Sequence, residues 1–180
     1  MLAQQRRRAM TTIEHPSVPV SSTDLPPVER RAVIPAGFKA GGMAVGIKAS
    51  GRPDLAVVVT TAGPAAAAAV FTPNAFAAAP VRLSQTHLAA TSHNASGRYG
   101  WAEAIVSTSG CANAATGAVG DTDQAIIASR LAGAFRLART TGTLHLSTGI
   151  IGTRLPVDAV GDGIDRLART LTATRVCASE

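Results

Sequence analysis

Thr143-Leu144-His145-Leu146-Ser147-Thr148-Gly149-Ile150-Ile151-Gly152-Thr153-Arg154-Leu155-Pro156-Val157-Asp158 is the stretch on which the reading of the fold turns. Its first five residues, Thr143 to Ser147, read as a strand. Gly149 and Gly152 supply a sharp turn, and Asp158 to Ala173 reads as a helix with Val160, Ile164, Leu167 and Leu171 on one stripe. The same alternation continues upstream. Val119 to Ala138 reads as a helix with Ile127, Leu131, Ala134, Phe135 and Ala138 at helical spacing, and Asp121 and Asp123 favour its start through the helix dipole. Glu103 to Ser107 reads as a buried strand, Thr91 to Gly100 as a polar loop holding Tyr99, and Val81 to Ala90 as a short helix.

The first half reads differently. Met43 to Ala49, Leu55 to Thr60 and Ala65 to Thr72 read as three strands, the middle one an apolar, β-branched run of the kind buried on both faces. Two short turns, Ser50 to Asp54 and Thr61 to Pro64, join them, which favours antiparallel neighbours because parallel pairing needs a longer crossover. Antiparallel strands first and alternating strands and helices later make a mixed α/β (α+β) fold. Residues 1–30 mix Gln, Arg, Ser, Thr and Pro without hydrophobic periodicity, so a disordered extension is expected there and one domain over 31–180. A targeting peptide is the weaker reading, because the apolar face it needs is missing.

Composition narrows the class. The chain has 180 residues, 46% of them hydrophobic, enough for a core built on Val, Ile, Leu and Ala. No stretch of about 18 strongly apolar residues exists, so no membrane partner is expected. The formal charge is +6, but Arg6, Arg7 and Arg8 lie at one end and Arg166, Arg169 and Arg175 at the other. Nucleic-acid binding needs basic residues on one docking face with stacking aromatics, and is not expected. Cys111 and Cys177 form no Cys-x-x-Cys pair, and His15, His87, His93 and His145 show no i, i+4 spacing, so neither zinc nor another metal is expected. A reduced environment follows, and the cytoplasm is the expected compartment.

Three segments could carry chemistry. In Ser147 to Gly152, the Thr148 hydroxyl beside the Gly149 amide would make two converging donors for the oxyanion of an acyl-transfer intermediate. An ordinary strand-to-helix turn fits the same spacing and is the better reading of spacing alone. A phosphate loop fits less well, because its glycine signatures are absent. In Ser109 to Gly117, Asn113 and Thr116 can bond to neighbouring loops, and Cys111 reads as a small structural cysteine lacking an activating base. In Gly37 to Lys48, the glycines suit bulges or close packing, and Lys48 reads as an exposed strand-end lysine. Asp158 suits a helix cap.

Taken in order, these segments resemble the ornithine acetyltransferase family, the bifunctional glutamate N-acetyltransferases/amino-acid acetyltransferases. Gly37-Phe38-Lys39-Ala40, Gly46-Ile47-Lys48, Asp54-Leu55-Ala56, Ala69-Val70-Phe71-Thr72 and Ala79-Pro80-Val81 carry it through the first half. Ser109-Gly110-Cys111-Ala112-Asn113-Ala114 with Thr116-Gly117, and Ser147 to Gly152 with Leu155-Pro156 and Asp158, carry it through the second. The resemblance implies the N-terminal α portion of a mixed α/β enzyme that cuts its own precursor before a threonine. That threonine takes acetyl from N-acetylornithine and passes it to glutamate in arginine biosynthesis, and some members use acetyl-CoA as donor. No resident cofactor is implied. The partner implied is a β chain, in α2β2 assemblies among relatives, and the site residues implied are Thr148 by its hydroxyl and Gly149 by its backbone N–H as the oxyanion hole.

The departures concern the nucleophile. The family's Lys-Gly-x-Gly-Met stretch and its Met-Thr-Thr-Asp segment are absent, and Ala173-Thr174 lies at a helix end. Thr108 replaces a common asparagine and Val157 a common methionine. The chain is therefore expected to hold no nucleophile and to be inactive alone, either as a truncated product or as a subunit completed by a β-like chain. It is also expected to expose apolar strands and to aggregate. A non-catalytic structural subunit or pseudoenzyme is the alternative, and a nucleotide-binding module a weaker one.

Overall fold

The computed structural model describes residues 33–93, 95 and 97–173. The expected extension over 1–30, Cys177 and the Ala173-Thr174 junction fall wholly or partly outside them. Six strands and three helices follow one another: β1 (Phe38–Met43), β2 (Leu55–Thr60), β3 (Ala65–Ala68), α1 (Ala79–Thr91), β4 (Tyr99–Ala102), β5 (Ala104–Cys111), α2 (Gly117–Phe135), β6 (Thr143–Ile150) and α3 (Val157–Ala173). Four strands form one sheet in the order β1-β2-β5-β6, and β3 pairs with β4 in a separate two-stranded ribbon. The β1/β2 and β2/β5 ladders are antiparallel, whereas β5/β6 is parallel, with α2 in the crossover. The mixed α/β class is the one the sequence implies.

Side-chain alternation divides the sheet into two unlike faces. Leu55, Val57 and Val59 of β2, with Ala104 and Val106 of β5, join Ile127 and Leu131 of α2 and Val160, Ile164 and Leu167 of α3 in one core. Helix α3 approaches β2 closely because Gly163 has no side chain: a Cβ there would lie 2.4 Å from Val45 Cγ1 and 2.7 Å from Leu55 Cδ2. The opposite face carries Ala56 and Val58 of β2, Ile105 and Ser107 of β5, and Leu144, Leu146 and Thr148 of β6. Val58 is 36% exposed and Leu146 54%. Strand β2 is thus buried on one face only, which corrects the two-faced burial expected from its continuous apolar run. Such a run records what could be covered on both sides, and here only one layer of helices covers it.

Several boundaries move for physical reasons. The strand expected over Met43 to Ala49 lies earlier, as β1, because Asp54 claims the amides that follow it. The Val45 amide donates to Asp54 Oδ1 at 2.7 Å and the Lys48 amide to Asp54 Oδ2 at 2.9 Å, so residues 44–50 wrap a carboxylate instead of pairing. Burial raises the Asp54 pKa, but the Lys48, Val45 and Ile47 amides and the Lys48 charge outweigh it and hold the carboxyl below its ordinary value. Asp54→Asn sets an NH2 group against those donors and should cost about 2 kcal/mol, read as a lower urea midpoint at neutral pH. The wild-type advantage should fade as the pH falls below the unfolded-chain value of about 3.9 and be lost towards the lower value at which Asp54 takes up a proton in the fold.

Helix α2 stops at Arg136, whose φ of 54 and amide bonds to Ala132 and Gly133 form a left-handed cap, so Ala138 lies outside it. Asp121 and Asp123 sit beyond its first turn and pair instead with Arg82 and Arg154. Strand β3 ends at Ala68 and pairs with β4 rather than β2, and Tyr99 stands in β4 rather than in a loop. Among the described residues no helix is long and apolar enough to cross a membrane.

Candidate active site at the carboxyl end of the parallel strands

Thr148 and Gly149 lie inside β6, not in a turn after it. The ladder runs on through Ser109–Thr148, Gly110–Gly149 and Cys111–Ile150. The strand-to-helix turn expected over Ser147 to Gly152 is therefore displaced: α3 starts only at Val157, so the glycine amides do not lead into a helix N-terminus. That removes the geometric basis of a phosphate loop. In sheets with parallel strands, ligands sit outside the carboxyl ends, and that is where this pair of residues lies.

Two facing glycines shape this end of the ladder. Gly110 has φ +112 and Gly149 φ +133, both in the region that L side chains avoid. A Cβ at Gly149 would meet the Gly110 carbonyl carbon at 2.3 Å and its oxygen at 2.5 Å. The turn at Gly110 also swings Cys111 into the core, where it is 3% exposed and donates from Sγ to the Thr153 carbonyl at 3.1 Å. Cys111 is the structural cysteine the sequence indicates, with no access for substrate. Thr148 has the reverse placement, exposed on the sheet face that no helix covers. Lys48 lies beside this corner, donating to the Pro53 carbonyl at 3.2 Å. Asp158 stands in the first turn of α3.

Behind the glycines lies a buried polar chain that the sequence reading missed. Asn113 is wholly buried with φ 47. Its Nδ2 donates to the Gly120 carbonyl at 2.9 Å and to Gln124 Oε1 at 3.1 Å, while its Oδ1 accepts from Thr116 Oγ1 at 2.7 Å. The sequence suggests bonds from Asn113 and Thr116 to neighbouring loops; their side chains bond instead to helix α2 and to each other. With its oxygen engaged, Gln124 turns its Nε2 to donate to His145 Nδ1 at 2.9 Å. His145 is then the tautomer protonated on Nε2, which donates to Thr143 Oγ1 at 2.9 Å. His87 donates from Nδ1 to the Thr143 carbonyl at 2.7 Å, and its ring meets that of His145 edge-on at 5.9 Å between centroids. Burial pushes the His145 pKa down to about 3, helped by the neighbouring His87. Burial lowers His87 too, against the Thr143 bond. Ser84 closes the edge of β6 by accepting from the His145 amide at 2.8 Å and donating to its carbonyl at 3.1 Å. The available signal was periodic: Thr143, His145 and Ser147 alternate on the helix-facing side of β6, where polar residues need partners.

Comparisons with known proteins give the family of the chain. A family model described as the ArgJ family matches residues 39–179. The arginine biosynthesis bifunctional protein ArgJ, mitochondrial, of Aspergillus niger is 41% identical over 142 residues, 78% of this chain and 29% of that protein. The protein of the same name from Postia placenta is 40% identical over 161 residues, 88% of this chain and 33% of the relative. This chain therefore spans about a third of the length of these curated relatives. Among solved structures, the ornithine acetyltransferase of Mycobacterium tuberculosis complexed with ornithine superposes with a TM-score of 0.67 at 40% identity, covering 75% of this chain and 67% of that one. The arginine biosynthesis bifunctional protein ArgJ of Bacillus halodurans gives 0.64 at 34% identity, covering 73% and 63%. The mitochondrial designation of the curated relatives overturns the expected cytoplasmic compartment. The cysteine pattern behind that expectation speaks only to a reducing environment and cannot tell one such compartment from another. By the span of the family match and by these relatives, the chain belongs to the ArgJ family.

Proposed function

We propose that this chain is the part of an acetyl-transfer enzyme that supplies the oxyanion hole for moving acetyl from N-acetylornithine to glutamate, with acetyl-CoA as a further donor. The observation that carries the reading is the corner made by Thr148, Gly149 and Gly110. A hydroxyl-bearing residue stands exposed on the uncovered sheet face, next to a glycine held at φ +133 at the carboxyl end of two parallel strands. When a nucleophile adds to the acetyl carbonyl, its oxygen becomes an oxyanion. The Thr148 O–H and the Gly149 N–H donate to it, and each such donor is worth roughly 3 kcal/mol in the transition state. The ornithine bound in the Mycobacterium tuberculosis relative supports an amino-acid substrate of that class.

The nucleophilic threonine lies in a segment that this sequence does not contain, produced by autocatalytic cleavage of a longer precursor. The open face of the four-stranded sheet is where that β segment docks. Phe38, Val58, Leu146 and Ile150 are exposed there or at its margin, and apolar side chains on an uncovered sheet face suit a protein contact. The chain alone is then inactive. The test is acetyl transfer from N-acetylornithine to glutamate by this chain alone, by a separately expressed β segment of a relative, and by the two together. Transfer only in the mixture is expected. Transfer by this chain alone would contradict the account of the nucleophile. No transfer in a mixture, where a matched α segment of the relative is active, would favour a non-catalytic subunit.

A further inference from the structure

We propose that Asn113 is a positioning residue that sets the direction of the Gly149 peptide without touching substrate. The inference rests on the oxyanion role of Thr148 and Gly149. Past Gly149 the ladder is held by only a short loop: the Ala112 amide donates to the Ile150 carbonyl at 3.0 Å, and the Gly152 amide donates to the Ala114 carbonyl at 2.8 Å. Residues 112 and 114 flank Asn113, so these two bonds clamp both sides of Ile150–Gly152 only while the loop keeps its shape. That shape is unusual, since Asn113 and Ala115 both have left-handed φ, 47 and 55.

Asn113 fixes the loop on three sides. Its carbonyl accepts from the Ala79 amide at the start of α1 at 3.2 Å, and its side chain bonds α2 at Gly120 and Gln124 and the loop's own Thr116. Gln124 is in turn held by His145, which sits on β6 four residues before Gly149. A closed circuit thus runs from β6 through α2 and the loop back to β6. Asparagine suits the node because it tolerates left-handed φ and offers two donors and an acceptor on a short stem. Aspartate keeps the shape but loses both donors, and glycine keeps the backbone but loses the side chain.

The test uses the chain itself, by hydrogen–deuterium exchange. Asn113→Gly and Asn113→Asp should each speed exchange of the Ala112 and Gly152 amides by at least tenfold, with α3 and the β1–β2 ladder changing far less. Ile164→Val, a core truncation in α3, is the control for general loosening and should speed exchange across the fold without singling out the loop. Uniform acceleration in both Asn113 variants, matching Ile164→Val, would overturn the proposal and leave Asn113 a stability residue only. In the reconstituted enzyme, Asn113→Gly should lower kcat at unchanged KM. If the oxyanion reading itself is wrong, the loop will loosen while Thr148→Ala leaves the rate intact, so the two failures are separable.

Discussion

Gly149→Ala should destabilise this chain by at least about 4 kcal/mol, in the upper range for a single substitution. Two costs add. Holding a non-glycine residue at φ +133 costs on the order of 1–3 kcal/mol. The new methyl group would also lie 2.3 Å from the Gly110 carbonyl carbon and 2.6 Å from the Cys111 nitrogen, both backbone atoms that no rotamer change can move. Relief requires the β5 and β6 ends to part, which breaks the ladder that carries the site. Gly133→Ala is the matching control: it sits in α2 with nothing within 4 Å of its Cβ, and should stabilise by up to about 1 kcal/mol. Urea unfolding of the three proteins checks both signs. Equal midpoints for Gly149→Ala and wild type would mean that the facing glycines are not packed as described.

Acid should unfold the chain sooner than its carboxylates alone would dictate. His145 is neutral in the fold, with its pKa pushed down to about 3 by burial first and by His87 second. In the unfolded chain it takes up a proton near its ordinary value of about 6.5. A group whose folded pKa is depressed contributes stability that is complete above the unfolded value and is lost as the pH falls towards the folded one. For His145 that window runs from about 6.5 down to 3, and the full loss is on the order of 5 kcal/mol. His87, also lowered, adds to the slope in the upper part of the window. Between pH 6.5 and 4.5 unfolding stability should therefore fall by roughly 1 kcal/mol per pH unit or more, before Asp54 begins to titrate. His145→Gln should flatten the profile in that range while lowering stability at pH 7. A wild-type profile flat from pH 6.5 to 4.5 would contradict the buried, neutral pair.

Protonation of His145 would have a structural consequence as well. Its Nδ1 accepts from Gln124, so a proton there would require the Gln124 amide to turn over. Turning it sets Nε2 against Asn113 Nδ2, donor against donor. The interior network thus resists charge on His145 cooperatively, and the strand that carries Thr148 is steadied by the same bonds.

What could be read from the sequence follows a physical division. Strand β2 and the apolar stripe of α3 were legible because period and side-chain type agree there: Val160, Ile164, Leu167 and Leu171 are all buried. From β5 onward the order of strands and helices was legible for the same reason, whereas β4 was read as part of a loop. Strand β1 was not, because the apolar alternation around Val45 and Ile47 continues past the point where Asp54 takes over the amides. Nothing local in residues 43–49 announces a carboxylate arriving from position 54. Strand β6 was cut short at Ser147 because glycine usually ends a strand. Here Gly149 lets the strand close on Gly110, a long-range requirement invisible to local propensity. The partner of β3 depended on tertiary pairing with β4, which four alanines cannot specify. Thr148 and Gly149 were read into a turn and lie instead inside β6, whereas the His87–His145–Gln124–Asn113 network went unread because its members lie on four different segments.

The most direct measurement of the central claim is the steady-state rate of acetyl transfer by Thr148→Val in the reconstituted enzyme, against wild type. Valine keeps the shape and removes the hydroxyl. The account predicts a kcat lower by about 10²–10³ with KM little changed, the loss of one donor made only in the transition state. A kcat within a factor of about two of wild type, in an enzyme that folds and assembles normally, would contradict the assignment of Thr148 as an oxyanion donor.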